Sequence, residues 1–135
     1  MMFRGLGDEK GQDLVEFALI ASLLFLLIFG IIDLGIVVWN YDTIANAARE
    51  GARYGVIDSP PHDRCYGVNG ICEHALRLTM GLDQDPGRLQ CICTRVDTTV
   101  RVTVTYDAQL ITAPVIEAMG VPSLTLRSVA TMQRE

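Results

Sequence analysis

The first feature of the chain is a long apolar run close to its N-terminus. Residues 17–41, FALIASLLFLLIFGIIDLGIVVWNY, contain a single charged side chain, that of Asp33. As a helix with about 1.5 Å rise per residue the run extends roughly 37 Å, enough to cross a hydrocarbon core of about 30 Å. A secretory signal peptide has a shorter apolar region that ends in an A-x-A-like cleavage site, and no such site directly follows Leu24. We therefore expect one membrane span that stays on the chain.

The same helix is predicted to continue beyond the span. In residues 40–57, NYDTIANAAREGARYGVI, small and apolar residues recur three or four positions apart beside a polar stripe, a pattern typical of an amphipathic helix. The two prolines of the following DSPPHD segment cannot continue a helix. We expect one helix over residues 12–57, a leader or cytosolic tail at residues 1–11, and a head over residues 58–135.

The head is predicted to be a small antiparallel sheet with short helices, which makes the fold class α+β. Residues 96–106, VDTTVRVTVTY, alternate apolar and polar side chains as a half-buried strand does, and the preceding CICTR belongs to the same strand or to its neighbour. The terminal SLTLRSVATMQ is typical of another strand. GICEHALRLTMGL predicts a short helix that ends at Gly81 with Met80 on its apolar side. Residues 108–119 predict a second helix, interrupted by Pro114.

All four cysteines lie C-terminal to the span: Cys65, Cys72, Cys91 and Cys93. An even number on one side of a membrane is typical of disulfides in an oxidising compartment, which places the head outside the cytosol. A direct bond between Cys91 and Cys93 would close a strained ring, so we expect each to pair with Cys65 or Cys72, in an order that the sequence leaves open. The alternative is a zinc site with His62 and His74, but the cysteine spacings do not resemble paired zinc knuckles.

Charge and motifs indicate no catalytic function. The net charge is −5 and the chain has no basic patch for nucleic acid. It has no G-x-S-x-G, no glycine-rich phosphate loop and no H-E-x-x-H, so we expect no enzyme, no cofactor and no metal site. Asp83 and Asp85 could hold calcium, although such a pair usually belongs to a turn. A redox enzyme that uses Cys91 and Cys93 is a further alternative and requires a reactive thiol of low pKa.

Two acids, Glu16 and Asp33, stand out because a carboxylate in the middle of a membrane costs roughly 2.5 to 3.5 kcal/mol. Asp33 either reaches the headgroups through tilt and snorkelling or pairs with a cation on another chain. Glu16 either lies at the cytosolic interface at little cost or pairs with a new N-terminal amine. That amine exists only if a protease cleaves between Gly11 and Gln12, one helical turn from Glu16.

Small residues four positions apart allow helices to approach closely, and the candidates for helix–helix assembly are Ala48, Gly51, Ala52 and Gly55, with Ala18 and Ser22 inside the span. Alanine is also a strong helix former, which explains the same residues without assembly. Arg49 and Arg53 are like charges one turn apart. They face acids of the head, acids of a neighbouring chain, or solvent.

Two blocks of sequence, GQDLVEFALIASLLFLLIFGIIDLG and ANAAREGARYG, resemble the TadE-like proteins of tight-adherence pilus systems. The resemblance is carried by Gly11, by Glu16 followed by Phe17, by the acid at Asp33 and by the A-R-E-G-A-R block at residues 48–53. It implies a pilin-like subunit in the bacterial cytoplasmic (inner) membrane, with one span and an extracytoplasmic head, that forms or helps to assemble an extracellular filament.

The implied partners are the membrane, other pilin-like subunits, the pilus assembly platform, and a prepilin peptidase that cleaves after Gly11. The alternative from a different class is a membrane-tethered binding module. In that case the disulfide-bonded head holds a ligand, a partner or a metal, and the helix is only an anchor.

Overall fold

The N-terminal half of the molecule is one continuous helix. The computed structural model describes residues 8–57, 64–118, 120 and 124–133, with side chains from Gly11 onward. Helix α1, Asp8–Val56, has 49 residues, which corresponds to about 73 Å of length. It passes without a break from the apolar run into the amphipathic segment, as the pattern predicts. The DSPPHD segment that is predicted to end it lies outside the described residues.

The head is a three-stranded antiparallel sheet with two short helices. After α1 the elements are α2 (Ile71–Arg77), β1 (Leu89–Val96), β2 (Thr99–Ala108), α3 (Ala113–Ala118) and β3 (Leu124–Gln133). The strand order is β1-β2-β3, and both pairs are antiparallel. The predicted α+β class, a long apolar N-terminal helix with a small antiparallel sheet, is confirmed.

Residues 96–106, which the sequence pattern predicts to be a single strand, contain a hairpin turn. Val96 pairs with Thr99 across a two-residue turn, in which Asp97 has a φ of 51°. Aspartate tolerates this left-handed conformation better than most residues. CICTR therefore belongs to the neighbouring strand β1, and the apolar positions of β2 face the core as the alternation predicts.

Both short helices differ in extent from their predictions. Helix α2 ends at Arg77, so Met80 lies beyond it and is 84% exposed rather than buried. Strand β2 continues to Ala108, which leaves only the later part of the predicted second helix as α3. Pro114 does not interrupt α3 but lies in its first turn. Backbone N–H groups in the first turn of a helix have no intrahelical acceptor, so a proline there removes no hydrogen bond.

The core lies between the C-terminal half of α1 and one face of the sheet, with α2 at its side. Its fully buried members are Ile44, Ala48 and Ala52 from α1, Ile71 and Ala75 from α2, and Val100, Val102 and Val104 from β2. Apolar burial of this kind is the main favourable term in folding. Because the sheet contacts only this part of α1, the first half of the helix extends away from the head.

Two disulfides reinforce the head. They join Cys65 to Cys93 and Cys72 to Cys91, so that α2 and the residues before it are fixed to β1. This settles the order that the sequence leaves open. All four thiols of the chain are used, so the zinc and redox alternatives have no free thiolate to act as ligand or nucleophile.

Candidate membrane and assembly interface

The first half of α1 has an apolar surface that the head does not cover. From residue 11 to residue 32 every side chain is exposed except Ala21, which is partly covered. Large apolar side chains point in all directions around the helix, among them Phe17, Leu23 and Ile31. Of the described helices, α1 is the one that is long and apolar enough to cross a membrane. A helix that is apolar all round and lacks contacts in its own chain is typical of a membrane span.

Asp33 marks the point on α1 at which the head begins. Its side chain is only 5% exposed. The amide of Ile111 donates a 2.8 Å hydrogen bond to its Oδ1, and the amide of Thr112 donates a 2.9 Å hydrogen bond to its Oδ2. The hydroxyl of Thr112 also donates to Oδ2. The carboxylate thus accepts hydrogen bonds from three donors of its own chain. The sequence alone does not reveal these partners.

These hydrogen bonds fix the entrance to α3. The carbonyl of Thr112 accepts bonds of 3.0 Å from the amides of Val115 and Ile116, so Thr112 is the residue from which the first turn of α3 starts. None of the six residues of α3 is buried in the head. The hydrogen bonds to Asp33 therefore fix the position of a helix that contributes no residue to the hydrophobic core.

The small residues after the span pack inside the chain. Ala48, Gly51, Ala52 and Gly55 are all buried. A Cβ on Gly51 would lie 2.8 Å from the Cβ of Ala75, and one on Gly55 would lie 2.8 Å from Cγ1 of Val100. Their spacing makes these four residues candidates for contacts between helices of different chains. The structure instead uses their small size to bring α2 and β2 close to α1, so this face of α1 is already occupied.

Arg49 and Arg53 lie on the exposed side of the same helix and have local partners. Nη1 of Arg49 donates a 3.4 Å hydrogen bond to Oδ1 of Asn46. Nε of Arg53 lies 3.3 Å from Oε1 of Glu50. Exposed pairs of this kind contribute less than about 1 kcal/mol, which leaves both guanidinium groups accessible at the surface.

The residues around the predicted cleavage site lie on the exposed part of α1. The helix includes the bond between Gly11 and Gln12, and both residues are exposed, as are Glu16 and Phe17. Glu16 has no hydrogen bond or ion pair with another described residue. Ala18 is exposed as well, and the hydroxyl of Ser22 donates to the carbonyl of Leu19 over 2.9 Å.

The two-aspartate segment of the head forms a turn. Oδ1 of Asp83 accepts from the amide of Asp85 at 3.3 Å, and Oδ1 of Asp85 accepts from the amide of Gly87 at 3.0 Å. Arg88 lies 3.6 Å from Oδ2 of Asp83. The aspartates thus serve local backbone groups, as in an ordinary turn.

The comparisons with known proteins concern the helix and not the head. A family model described as TadE-like protein matches residues 11–53. No curated protein and no solved structure matches the chain. The matched residues include the exposed apolar half of α1 and most of the segment that packs on the head. Over residues 11–53 the chain is therefore similar to the TadE-like family, as its sequence resemblance predicts.

Proposed function

We propose that the protein is a pilin-like subunit of a tight-adherence pilus. In this proposal α1 anchors the chain in the bacterial cytoplasmic membrane, the head lies on the extracytoplasmic side, and the exposed half of α1 packs against other pilin-like subunits during assembly. The pilus assembly platform and the prepilin peptidase are the further partners. The function is assembly and not catalysis.

The observation that carries the proposal is the uncovered apolar surface of α1 over residues 11–32. A span whose only task is to anchor a head needs apolar character and length. Association with other helices also needs small residues that permit close approach, and Ala18 and Ser22 lie four positions apart on this surface. The buried Gly51 and Gly55 have no part in such contacts.

Glu16 gives the proposed assembly its register. A prepilin peptidase that cleaves after Gly11 makes Gln12 the first residue and gives it an ammonium group. Glu16 is exposed and has no partner among the described residues, so its carboxylate is available to the Gln12 ammonium of a neighbouring subunit. In a helical bundle each charge would offset the cost of burying the other.

The disulfides support the proposed orientation. Cys65–Cys93 and Cys72–Cys91 require an oxidising environment, and the cytosol keeps thiols reduced. The side of the membrane that contains the head is then extracytoplasmic. Arg49 and Arg53 lie on the exposed face of α1 in that compartment and are available to acids of a neighbouring subunit.

The experiment compares Glu16→Gln with Asp13→Asn in cells that make the pilus. Both variants remove one negative charge from the same exposed stretch of α1, and only the first removes the proposed partner of the N-terminal amine. We expect Glu16→Gln to abolish incorporation of the protein into surface filaments while the chain remains in the membrane with its disulfides intact. Asp13→Asn should assemble normally. Normal incorporation of the Glu16→Gln protein would contradict the role given to Glu16.

The alternative of a tethered binding module predicts a different result. If α1 is only an anchor, both substitutions leave membrane insertion and the activity of the head unchanged, because the head contacts α1 only from Asp33 onward. The same pair of variants therefore separates the two functions.

A further inference from the structure

The segment between β2 and β3 has an apolar surface that the head does not use. Residues 109–118, QLITAPVIEA, carry one charge, that of Glu117. Ile111 is 55% exposed and Val115 is 50% exposed, and α3 has no buried residue. A helix of six residues is too short to be stable without packing of an apolar face. An exposed apolar segment of this kind is typical of a surface that contacts something else.

The position of this segment along α1 is fixed by Asp33. The amides of Ile111 and Thr112 bind the two carboxylate oxygens, so Ile111 lies beside α1 at the level of Asp33. This is the level at which α1 changes from fully exposed to packed against the head. The segment therefore starts where the exposed apolar surface of the span ends.

The length of α1 places the same level at the edge of a bilayer. Asp13 and Asp33 are 20 residues apart, which is about 30 Å along a helix and equal to the thickness of a hydrocarbon core. Trp39 is exposed and lies about 9 Å beyond Asp33, and its side chain leans back toward the helix N-terminus. Tryptophan is enriched at the headgroup level of membranes. The distance from Asp13 to Asp33 and the position of Trp39 both place Asp33 at the outer boundary of the hydrocarbon core.

We propose that residues 109–118, the interface segment, lie in the outer leaflet at the boundary between acyl chains and headgroups, with Ile111 and Val115 as the inserted side chains. The occupant of this apolar surface is the lipid bilayer. Asp33 makes the placement possible, because its carboxylate meets three donors there instead of facing lipid unpartnered. The head is then attached to the membrane at two points, α1 and the interface segment. The proposal requires membrane anchoring and does not depend on pilus assembly.

Tryptophan fluorescence with brominated lipids tests this contact. The chain has one tryptophan, so Trp39→Phe supplies a background without emission from tryptophan. Val115→Trp then adds a reporter to the interface segment, and Val129→Trp adds a matched reporter to the outer face of the sheet, where valine is 48% exposed. Each full-length variant is reconstituted into vesicles of phosphatidylethanolamine and phosphatidylglycerol, with bromine either near the carbonyl or near the end of the acyl chain.

We expect the V115W protein to emit at shorter wavelength than the V129W protein and to lose intensity with brominated lipid, most strongly when bromine is near the carbonyl. V129W emission should be unaffected by bromination. The proposal would be overturned if V115W emitted at the same long wavelength as V129W and lost no more intensity with brominated lipid than V129W does. A V115W emission that shifts with protein density but not with bromination would overturn it too, because it would identify a second copy of the chain as the occupant. Neither reporter replaces a core residue, and an unchanged disulfide map confirms that each head has folded.

Discussion

Asp33 and Thr112 are 79 residues apart in the chain and are joined by two hydrogen bonds, one from the amide and one from the hydroxyl of Thr112. With the bond from Ile111, they tie the loop before α3 to the level of α1 at which the exposed span ends. An acid inside an apolar helix is usually explained by a partner on another chain. Here its partners are in the head of the same chain.

Removal of this carboxylate should release the loop. Asp33→Ala leaves the partly buried amides of Ile111 and Thr112 without an acceptor, and an unsatisfied donor costs about 1–3 kcal/mol when it is fully buried and less when water reaches it. We expect faster hydrogen exchange at these two amides and a lower free energy of unfolding of the head. Asp42→Ala is the matched control, because it removes an exposed acid from the same helix. Unchanged protection of Ile111 and Thr112 in Asp33→Ala would show that the bonds contribute nothing.

The close contact of α1 with α2 gives a second prediction. At Gly51 a Cβ would already lie 2.8 Å from the Cβ of Ala75, whereas at Gly35 nothing lies within 4 Å. Gly51→Val should lower the free energy of unfolding of the head by about 1–3 kcal/mol through overpacking. Gly35→Val should change it by less than about 0.5 kcal/mol. Thermal unfolding in detergent, followed by near-ultraviolet circular dichroism, measures both. Equal unfolding temperatures for the two variants would contradict the close packing of α1 against α2.

The disulfides give a third prediction. Their sequence separations are 28 and 19 residues, for which loop closure predicts a loss of about 3 kcal/mol when either bond is removed. We expect Cys65→Ser with Cys93→Ser to destabilise the head by nearly the same amount as Cys72→Ser with Cys91→Ser, as measured by denaturant unfolding. Peptide mapping of the unreduced protein checks the pairing itself. A peptide that joins Cys65 to Cys91 would contradict it.

Stability in acid should depend on Glu73. The side chain of Arg77 donates a 2.6 Å hydrogen bond to Oε1, and the amide of Asn69 donates a 2.5 Å bond to Oε2. Both partners hold the pKa of Glu73 below its usual value of 4.5. Because the folded state binds the proton more weakly than the unfolded state, the contribution is complete above pH 4.5 and is lost as the pH falls through the lowered pKa.

The measurement is the unfolding temperature of the head across this acidic range. Glu73→Gln should show a smaller fall than the unchanged protein. Glu117→Gln serves as the control, since it makes the same substitution at an exposed site without such partners among the described residues, and its curve should run parallel to that of the unchanged protein. If Glu73→Gln also gave a parallel curve, the hydrogen bonds of Glu73 would have no part in acid stability.

Local patterns in the sequence predict most elements and miss the contacts between them. The alternation of Val100, Val102 and Val104 predicts which face of β2 is buried, because it depends only on the period of a strand. The turn at Asp97 is missed because Asp-Thr lacks the glycine that usually signals a two-residue hairpin.

The use of the small residues on α1 could not be predicted from spacing. Gly51 and Gly55 are four positions apart, which suits close approach by a helix of another chain or by the sheet and α2 of the same chain. Likewise, no local pattern connects Asp33 to Thr112, because the contact depends on how the head folds back along α1. In contrast, the exposure of the part of α1 that contains Glu16 can be predicted from the sequence, because it belongs to the apolar run expected to cross the membrane.

N-terminal mass spectrometry of the protein from its native membrane decides whether α1 belongs to a processed, pilin-like subunit. We expect a mature chain that begins at Gln12, four residues before Glu16. A chain that still begins at Met1 in assembled material would contradict it, because the ammonium group proposed as the partner of Glu16 would not exist.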